Sequence, residues 1–238
     1  MIRFVPGYFG WLGNQMFQYA ATFAASKRIG VGCEFPENEP NLFDIFNLSA
    51  SRSTLATPLV YQEPTFEYKP IPKKDGLTLF GYFQSERYFD DFADDIRKEF
   101  TFKESIDATN KGVVAVHVRR GDYTTLQDHH PLCTLDYYKK AMAMFEDHSF
   151  LVFSDDIKWC RENIKGPKVM YSEENSGAKD LQLMASCDHN IIANSSFSWW
   201  GAWLNENQDK KVVAPKQWFG PAKPLETRDI YCKDWITI

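Results

Sequence analysis

The 238-residue chain contains no run of apolar residues near the roughly 18–20 that a membrane-spanning helix requires. Residues 1–13 also lack the basic start, the long apolar stretch and the cleavage site of a secretory signal. We therefore expect a cytoplasmic chain without an integral membrane segment. The glycosylation sequons at Asn47 and Asn194 are then chance matches, because glycosylation requires secretion.

The sequence also lacks a C-x-x-C pair and a long basic run. The 5 cysteines are odd in number and form no C-x-x-C pair, which disfavours both a zinc site and a disulfide framework. We interpret them as buried thiols in a reducing compartment. A net charge of -5 without a long basic run argues against a nucleic-acid partner. The 44% of hydrophobic residues nevertheless predicts a packed core.

The residue pattern predicts an α/β fold. The first half opens with a strand over residues 1–5 and a glycine-rich loop. Asn14 is expected to cap the helix that follows, and Gly30 or Gly32 to end it. Residues 33–76 show little periodicity and are expected to be irregular. A strand at 77–83, a helix over 88–100 and a polar linker at 101–112 complete this half.

The second half alternates strands and helices more clearly. Such alternation is typical of a parallel, doubly wound sheet, which binds ligands at the carboxyl edge of its strands. The residues after each strand are therefore the first candidates for a site. Strands are predicted at 113–118, 150–153, 169–171, 190–193 and 211–214, and helices at 135–146, 157–164, 179–187 and 199–205.

The strand at 113–118 delivers cationic groups to this edge. Two adjacent guanidiniums, those of Arg119 and Arg120, suit a diphosphate, which arginine binds in a bidentate manner. Alternation along the strand sends His117 and Arg119 to the same side, so we predict Arg119 as the direct phosphate ligand. Arg120 is expected to add charge or to pair with Asp122. His117 is either a core histidine or a ligand contact.

Two further segments follow strands at the same edge. Residues 194–198 begin a helix, where hydroxyls and backbone N–H groups form either an anion site or an ordinary serine cap. The carboxylate of Asp155 can accept two hydrogen bonds from the edge of guanine. Asp156 is either a second carboxylate for a ligand or the cap of the next helix.

Aromatic residues near these segments leave alternatives open. Trp199, Trp200 and Trp203 pack in the core or line a sugar pocket. His129 and His130 lie in a loop whose sequence assigns them no role.

Five motifs occur in order along the chain, and together they are far more specific than any one. They are FGWLGNQMFQYA at 9–20, GYFQSERYF at 81–89, HVRRGDY at 117–123, FSDD at 153–156 and NSSFSWWG at 194–201. They resemble the motifs of glycosyltransferase family 11, the α-1,2-fucosyltransferases, and the third is shared with α-1,6-fucosyltransferases. The chain is short for that family, and Trp11 replaces a glycine of the family's Gly-Gly-Leu-Gly turn.

The resemblance implies a GT-B fold, in which two Rossmann-like domains face a cleft, with the first domain reduced here. Residues 1–108 would form the acceptor-side domain and residues 109–238 the GDP-sugar-binding domain. It further implies GDP-fucose as donor, a glycan as acceptor, inversion at the anomeric carbon and no required metal or other cofactor. In agreement, no two aspartates form the D-x-D arrangement common in metal-dependent sugar transferases.

The resemblance also implies roles for individual residues. Arg119 would hold the β-phosphate, His117 and Asp155 would contact the guanosine, and Asn14 would lie near the transferred sugar or the acceptor. The candidate catalytic residues are Arg119, Arg120, Asp122 and Asn14, and the candidate donor-binding residues are Gly13, His117, Arg119, Asp155, Asp156, Ser195, Ser196, Phe197 and Ser198.

The expected reaction is a single displacement of GDP by an acceptor hydroxyl, such as O2 of a galactoside. Arg119, Arg120 and the amides of residues 195–198 would stabilise the departing diphosphate. Asp122 and Glu86 are candidate bases.

Two alternatives remain: a transferase for another nucleotide sugar, and a non-catalytic protein that binds GDP or a glycan. A phosphate-ester hydrolase has no support, since the sequence shows no metal cluster or activated nucleophile. The oligomeric state stays open.

Overall fold

The computed structural model describes residues 1–5, 10–37, 41–53, 57–106, 110–173 and 176–238. It divides the chain into two compact units. Unit 1 comprises Met1–Ser105 and Glu226–Cys232, and unit 2 comprises Ile106–Leu225 and Lys233–Ile238. The expected domain boundary at residue 108 lies outside the described residues, as do residues 6–9 of the glycine-rich loop.

Unit 1 contains a parallel sheet, which the described residues form in the order β3-β2-β1-β5-β4. The expectation that residues 33–76 are irregular is wrong, because this stretch supplies three of the strands. Strands of two or three residues are too short to show the alternation that identifies a strand in sequence. The strands are β1 (Ile2–Phe4), β2 (Cys33–Phe35), β3 (Ser51–Arg52), β4 (Val60–Gln62) and β5 (Thr78–Phe80).

Helix α1 (Leu12–Arg28) packs on this sheet, and most of its residues are buried. Its N-cap is Trp11, which makes no side-chain capping bond, so the prediction of Asn14 as the cap is wrong. Asn14 lies inside the first turn. The predicted stop at Gly30 is confirmed: its φ is +69°, and the N–H of Val31 reaches the Ser26 carbonyl at 3.1 Å, as in a Schellman motif.

The remaining helices of unit 1 are short. Helix α2 (Leu42–Ile45) forms a single turn. The helix predicted over residues 88–100 is shorter in the structure: 3-10 turns at Glu86–Tyr88 and Asp90–Phe92 precede α3 (Ala93–Glu99).

The segment Glu226–Cys232 belongs to unit 1 although it follows most of unit 2 in sequence. Asp229 anchors it: its carboxylate accepts the N–H of Tyr68 at 3.0 Å and an Arg87 N–H at 3.0 Å. Arg228 forms an ion pair with Glu67. Unit 1 is therefore built from two separate stretches of chain.

Unit 2 contains a second parallel sheet, which the described residues form in the order β11-β10-β9-β6-β7-β8. Each strand and helix predicted for the second half is confirmed, with ends shifted by up to four residues. The edge strand β11 was not predicted. The elements are β6 (Asn110–Val118), α4 (Leu135–Met142), β7 (Ser149–Ser154), α5 (Ile157–Asn163), β8 (Val169–Tyr171), α6 (Gly177–Ala185), β9 (Cys187–Ile191), α7 (Ser196–Leu204), β10 (Val212–Ala214) and β11 (Ile236–Thr237).

The core of unit 2 lies around β6, where Val114 and Val116 are fully buried. Trp199, Trp200 and Trp203 are buried as well, and their rings contact one another, which favours core packing over a sugar pocket. The 5 cysteines are free thiols; Cys133 and Cys232 are only partly buried, unlike the other three. Among the described residues, none of the helices combines the length and apolar character needed to cross a membrane.

Candidate functional site

The register of the second sheet brings two predicted segments to the same edge. His117 lies opposite Phe153 and Val118 opposite Ser154, so β6 and β7 end side by side. The residues that follow them, from Arg119 and from Asp155, are therefore neighbours. The third segment approaches through aromatic contact, because the rings of His117 and Phe197 lie 5.6 Å apart. The predicted convergence of three strand ends is thus confirmed.

Arg119 is held between two carboxylates. Its Nη1 lies 2.8 Å from Oδ2 of Asp155, and its Nη2 lies 2.5 Å from Oδ1 of Asp122. The guanidinium also lies over the ring of Tyr123, 5.2 Å from the ring centre. These contacts fix the orientation of the guanidinium, and a quarter of the side chain stays exposed at 25%. An anion can therefore reach a cation whose direction is already set.

Arg120 turns to the other side, as strand alternation predicts. Its Nε lies 3.0 Å from Oδ2 of Asp156, and its guanidinium stacks over Trp159 at 3.9 Å. Of the two alternatives for Arg120, pairing with Asp122 is wrong, because Asp122 pairs with Arg119 and Arg120 with Asp156. Arg120 is directed toward helix α5, where Trp159 is located.

The two adjacent aspartates have different partners. Asp156 caps α5 by accepting the N–H of Trp159 at 3.1 Å, so the helix-cap alternative is confirmed. That hydrogen bond, followed by the Arg120 contact, lowers the pKa of Asp156 below its ordinary value. Asp155 accepts the backbone N–H of Arg120 at 2.9 Å and also contacts the Arg119 guanidinium.

Gly121 is required by this close approach. A Cβ added to it would lie 2.5 Å from Oδ2 of Asp155, which is far inside van der Waals contact. The absence of a side chain at Gly121 thus makes room for the Asp155 carboxylate.

His117 is buried, with only 6% of its surface exposed. This burial, and next the charge of Arg119, lower its pKa to about 3, so the ring is neutral at physiological pH. Its Nδ1 is buried and has no hydrogen-bond partner among the described residues. A buried polar atom without a partner calls for an explanation, and a bound ligand is one. This observation favours ligand contact over a satisfied core histidine.

The third segment opens helix α7. Ser195 is the N-cap and makes no side-chain capping bond, which disfavours the ordinary serine cap. Ser196 and Phe197 form the first turn. The hydroxyl of Ser198 is buried against the carbonyls of Ala193 and Ser195, at 3.4 and 3.3 Å. Ser198 can therefore offer an anion its backbone N–H but not its hydroxyl.

Asn194 fixes this segment to the surrounding loops. Its Nδ2 donates to the carbonyl of Pro131 at 2.9 Å and to that of Trp218 at 3.0 Å. Its own carbonyl accepts the Tyr123 hydroxyl at 3.2 Å. The first and third segments are thus joined by hydrogen bonds as well as by ring contact.

His130 and Lys223 were not assigned from sequence, yet both lie beside this site. The ring of His130 stacks on Tyr123 at 4.8 Å, and its Nε2 lies 2.9 Å from the Lys223 Nζ. Burial, and next the charge of Lys223, lower the pKa of His130 to about 4. No local pattern identifies these residues, because the two partners are far apart in the sequence.

Three sequence candidates belong to unit 1 rather than unit 2. Gly13 and Asn14 lie in the first turn of α1, and Asn14 Oδ1 accepts a hydrogen bond from Gln84 Nε2 at 2.7 Å. Glu86 opens the 3-10 turn after β5. Among the described residues, no group of three or more His, Cys, Asp or Glu side chains is arranged to hold a metal ion.

Comparison with known families gives one match over most of the chain. The family model described as "Glycosyl transferase family 11" matches residues 59–238.

Individual relatives include two proteins of Escherichia coli. The chain is 31% identical to the O-antigen biosynthesis glycosyltransferase WbnK, over 96% of this chain and 98% of that protein. It is 30% identical to an alpha-1,2-colitosyltransferase, over 96% of each. The first alignment spans 300 positions, more than the 238 residues of this chain, so WbnK has internal segments that this chain lacks.

A mammalian relative aligns with a smaller part of this chain than the two bacterial proteins do. The galactoside alpha-(1,2)-fucosyltransferase 2 of Rattus norvegicus is 31% identical over 82% of this chain, which spans 65% of that protein.

Solved structures of low sequence identity share the fold. The fucosyltransferase NodZ from Bradyrhizobium matches with a TM-score of 0.55 and 14% identity, over 84% of this chain and 92% of that one. POFUT1 in complex with GDP-fucose matches with a TM-score of 0.54 and 13% identity, over 88% of this chain and 95% of that one. These likenesses, with the two parallel α/β sheets, confirm the GT-B fold.

Proposed function

The chain belongs to glycosyl transferase family 11 and is a glycosyltransferase, and from this premise we propose that it transfers fucose from GDP-fucose to O2 of a galactoside. The names of two relatives, an alpha-1,2-colitosyltransferase and a galactoside alpha-(1,2)-fucosyltransferase, support the linkage. The solved structure of NodZ soaked with GDP-fucose supports the donor. The observation that carries the proposal is the guanidinium of Arg119, which Asp122 and Asp155 orient over the ring of Tyr123. The Tyr123 hydroxyl in turn donates to the carbonyl of Asn194, two residues before α7.

In this proposal unit 2 binds the donor. Arg119 binds the β-phosphate, and the backbone N–H groups of Ser196, Phe197 and Ser198 complete the anion site at the start of α7. The N–H of Ser195 instead donates to the Ala193 carbonyl at 2.7 Å. His117 offers its Nδ1 to the guanosine. Asp155 accepts hydrogen bonds from guanine while holding Arg119, because a carboxylate has about four acceptor positions.

The outer residues of the site assist indirectly. Asp156 and Ser198 contribute through helix ends, Asp156 by capping α5 and Ser198 through its backbone N–H in α7. Arg120 adds positive charge and keeps the first and second segments together through Asp156. Gly13 and Asn14 of unit 1 act on the acceptor side, near the transferred sugar.

The proposed reaction is a single inverting displacement. The acceptor oxygen forms a bond to C1 of fucose as the bond from C1 to the GDP oxygen breaks, and the diphosphate leaves with the electron pair. Arg119 and the α7 amides stabilise the growing negative charge more in the transition state than in the ground state. The acceptor proton passes to a base, for which Asp122 and Glu86 are the candidates. No metal has a step in this scheme.

The test is transfer by the purified protein in the presence of EDTA. GDP-fucose is supplied with a panel of β-galactosides, and both GDP release and product mass are followed. A fucosylated product whose linkage maps to O2 supports the proposal, and equal rates with EDTA and with added Mg²⁺ support metal independence. GDP binding without transfer to any acceptor would instead support a non-catalytic binding protein.

A second donor is favoured by one observation, the 30% identity to an alpha-1,2-colitosyltransferase. Colitose is fucose without its 3-hydroxyl, so the two donors differ at a single position of the sugar. Competition of GDP-colitose, GDP-mannose and UDP-galactose with GDP-fucose decides among the donors. A higher kcat/KM for any of the other three would overturn the choice of fucose.

A further inference from the structure

Two aromatic side chains of unit 1 are well exposed. Trp11 is 68% exposed and Tyr82 is 43% exposed, whereas Trp199 and Trp200 are fully buried. An aromatic ring of this size gains free energy when it is removed from water. Rings that remain exposed next to polar groups are therefore candidates for contact with a ligand.

Both rings are carried by segments that follow parallel strands of the unit 1 sheet. Trp11 stands between β1 and α1, and Tyr82 follows β5 by two residues. Strands β1 and β5 are parallel neighbours, with Phe4 opposite Leu79. The segments that carry the two rings thus leave the same edge of the sheet, which is the ligand-binding edge in open α/β folds.

An amide pair connects these two segments. Gln84 Nε2 donates to Asn14 Oδ1 at 2.7 Å. Asn14 lies one helical turn after Trp11, and its N–H donates to the Trp11 carbonyl at 2.9 Å. Gln84 lies two residues after Tyr82. Side-chain amides both donate and accept hydrogen bonds, which suits the hydroxyl groups of a sugar.

The backbone beneath Tyr82 is fixed by a carboxylate. Glu63 accepts the N–H of Tyr82 at 2.7 Å and that of Phe83 at 3.0 Å. Phe83 is fully buried and has a φ of +53°, a conformation that non-glycine residues rarely adopt. A Cβ added to Gly81 would lie 2.4 Å from the Cβ of Glu63. Tyr82 is therefore presented by a preorganised turn, which reduces the entropy lost on binding.

We propose that Trp11 and Tyr82 form the acceptor subsite of this chain, with the hydroxyls of a galactoside directed to the Asn14–Gln84 pair. The inference rests on the proposed function, because it names the acceptor side of that reaction. A pyranose ring has an apolar face and a polar rim. In galactose the axial 4-hydroxyl leaves neighbouring C–H groups together on one face, which matches the exposed rings beside an amide pair.

The test separates acceptor from donor kinetics. Trp11→Ala and Tyr82→Ala should each raise the KM for N-acetyllactosamine by about tenfold, the loss expected when one ring contact is removed. The KM for GDP-fucose should stay the same. Tyr82→Phe keeps the ring and should restore acceptor binding. Met170→Ala is the control, because Met170 is similarly exposed, at 47%, on β8 of unit 2.

A binding measurement keeps the test independent of catalysis. Saturation-transfer NMR with methyl β-galactoside and N-acetyllactosamine, in the presence of GDP, reports contact with the protein directly. Transfer by wild type with an unchanged acceptor KM in Trp11→Ala and Tyr82→Ala would overturn the subsite and leave the proposed function standing. Galactoside binding that depends on Trp11 and Tyr82, without any transfer, would support the subsite and remove the proposed function. Absence of galactoside binding to the wild type would overturn the subsite.

Discussion

The imidazole of His117 lies against the phenyl ring of Phe197, with the ring centroids 5.6 Å apart. His117 is the penultimate residue of β6, and Phe197 lies in the first turn of α7. The contact therefore fixes the end of the central strand to the start of the helix. Because burial lowers the pKa of His117 to about 3, this junction contains a neutral ring. The buried Nδ1 of that ring has no hydrogen-bond partner among the described residues.

Replacing His117 with Gln should reduce the pH dependence of stability. Between its ordinary pKa of 6.5 and the folded value of about 3, the unfolded chain binds a proton at this site and the folded chain does not. Wild type should therefore lose up to about 1.4 kcal/mol of unfolding free energy per pH unit as the pH falls through this window. The carboxyl groups and His130 titrate in both proteins, so the difference between them isolates His117. Urea unfolding of both proteins at about pH 7 and about pH 5 measures how much unfolding free energy each loses as the pH falls. An equal loss in wild type and variant would show that His117 is not a buried, neutral histidine.

Replacing Arg119 with Ala should lower kcat/KM for GDP-fucose by roughly 10²–10³, as for the loss of one donor that stabilises a developing negative charge. The guanidinium is oriented by Asp122 and Asp155, so the variant loses a preorganised group. Arg119→Lys keeps the charge without the planar fork and should give an intermediate rate. Steady-state kinetics with GDP-fucose measure both variants. Turnover of the alanine variant near that of wild type would rule out Arg119 as the phosphate ligand.

Arg120→Ala should reduce kcat/KM by less than about tenfold, a smaller effect than Arg119→Ala, because its guanidinium is paired with Asp156 and stacked on Trp159. The same variant should lose about 1 kcal/mol of unfolding free energy through these contacts. Kinetics and urea unfolding of the two alanine variants, compared side by side, check both statements. A loss of kcat/KM equal to that of Arg119→Ala would mean that Arg120 also binds the leaving group.

Asp156→Ala should destabilise the protein by about 1 kcal/mol, since the cap of α5 is lost. Asp156→Asn keeps an oxygen that can accept the Trp159 N–H and should be nearly as stable as wild type. Thermal unfolding of the pair measures the difference. If both variants are destabilised equally, the ion pair with Arg120 matters more than the cap.

The sequence predicted unit 2 far better than unit 1, and the reason is strand length. Strand β6 has nine residues and a run of valines, and each strand predicted in its neighbourhood was confirmed. Strands β2, β3 and β4 have two or three residues, and their pairing with distant segments makes them strands. Asn14 was wrongly predicted to cap the helix. Its side chain instead bonds to Gln84, a partner 70 residues away that no local pattern reveals.

The candidate site was predictable in its location but not in its pairings. Alternation along β6 correctly separated Arg119 from Arg120. The pairing of Arg120 with Asp122 was wrong, and the carboxylate partners of Arg119 were not predicted. The reason is that Asp155 and Asp156 follow the neighbouring strand, about 35 residues further along the chain. His130 could not be assigned, since its environment is formed by Tyr123 and by Lys223, 93 residues beyond it.

The return of Glu226–Cys232 to unit 1 has a consequence for biosynthesis. A ribosome makes the first stretch of unit 1 early, but Arg228 and Asp229, which bind Glu67, Tyr68 and Arg87, emerge only after nearly all of unit 2. Unit 1 therefore lacks its segment Glu226–Cys232 while most of unit 2 is being translated. Domains otherwise usually fold as they are made, from the N-terminal side. Completion of unit 1 is thus postponed until residues 226–232 have been made, after most of unit 2 has already been synthesised.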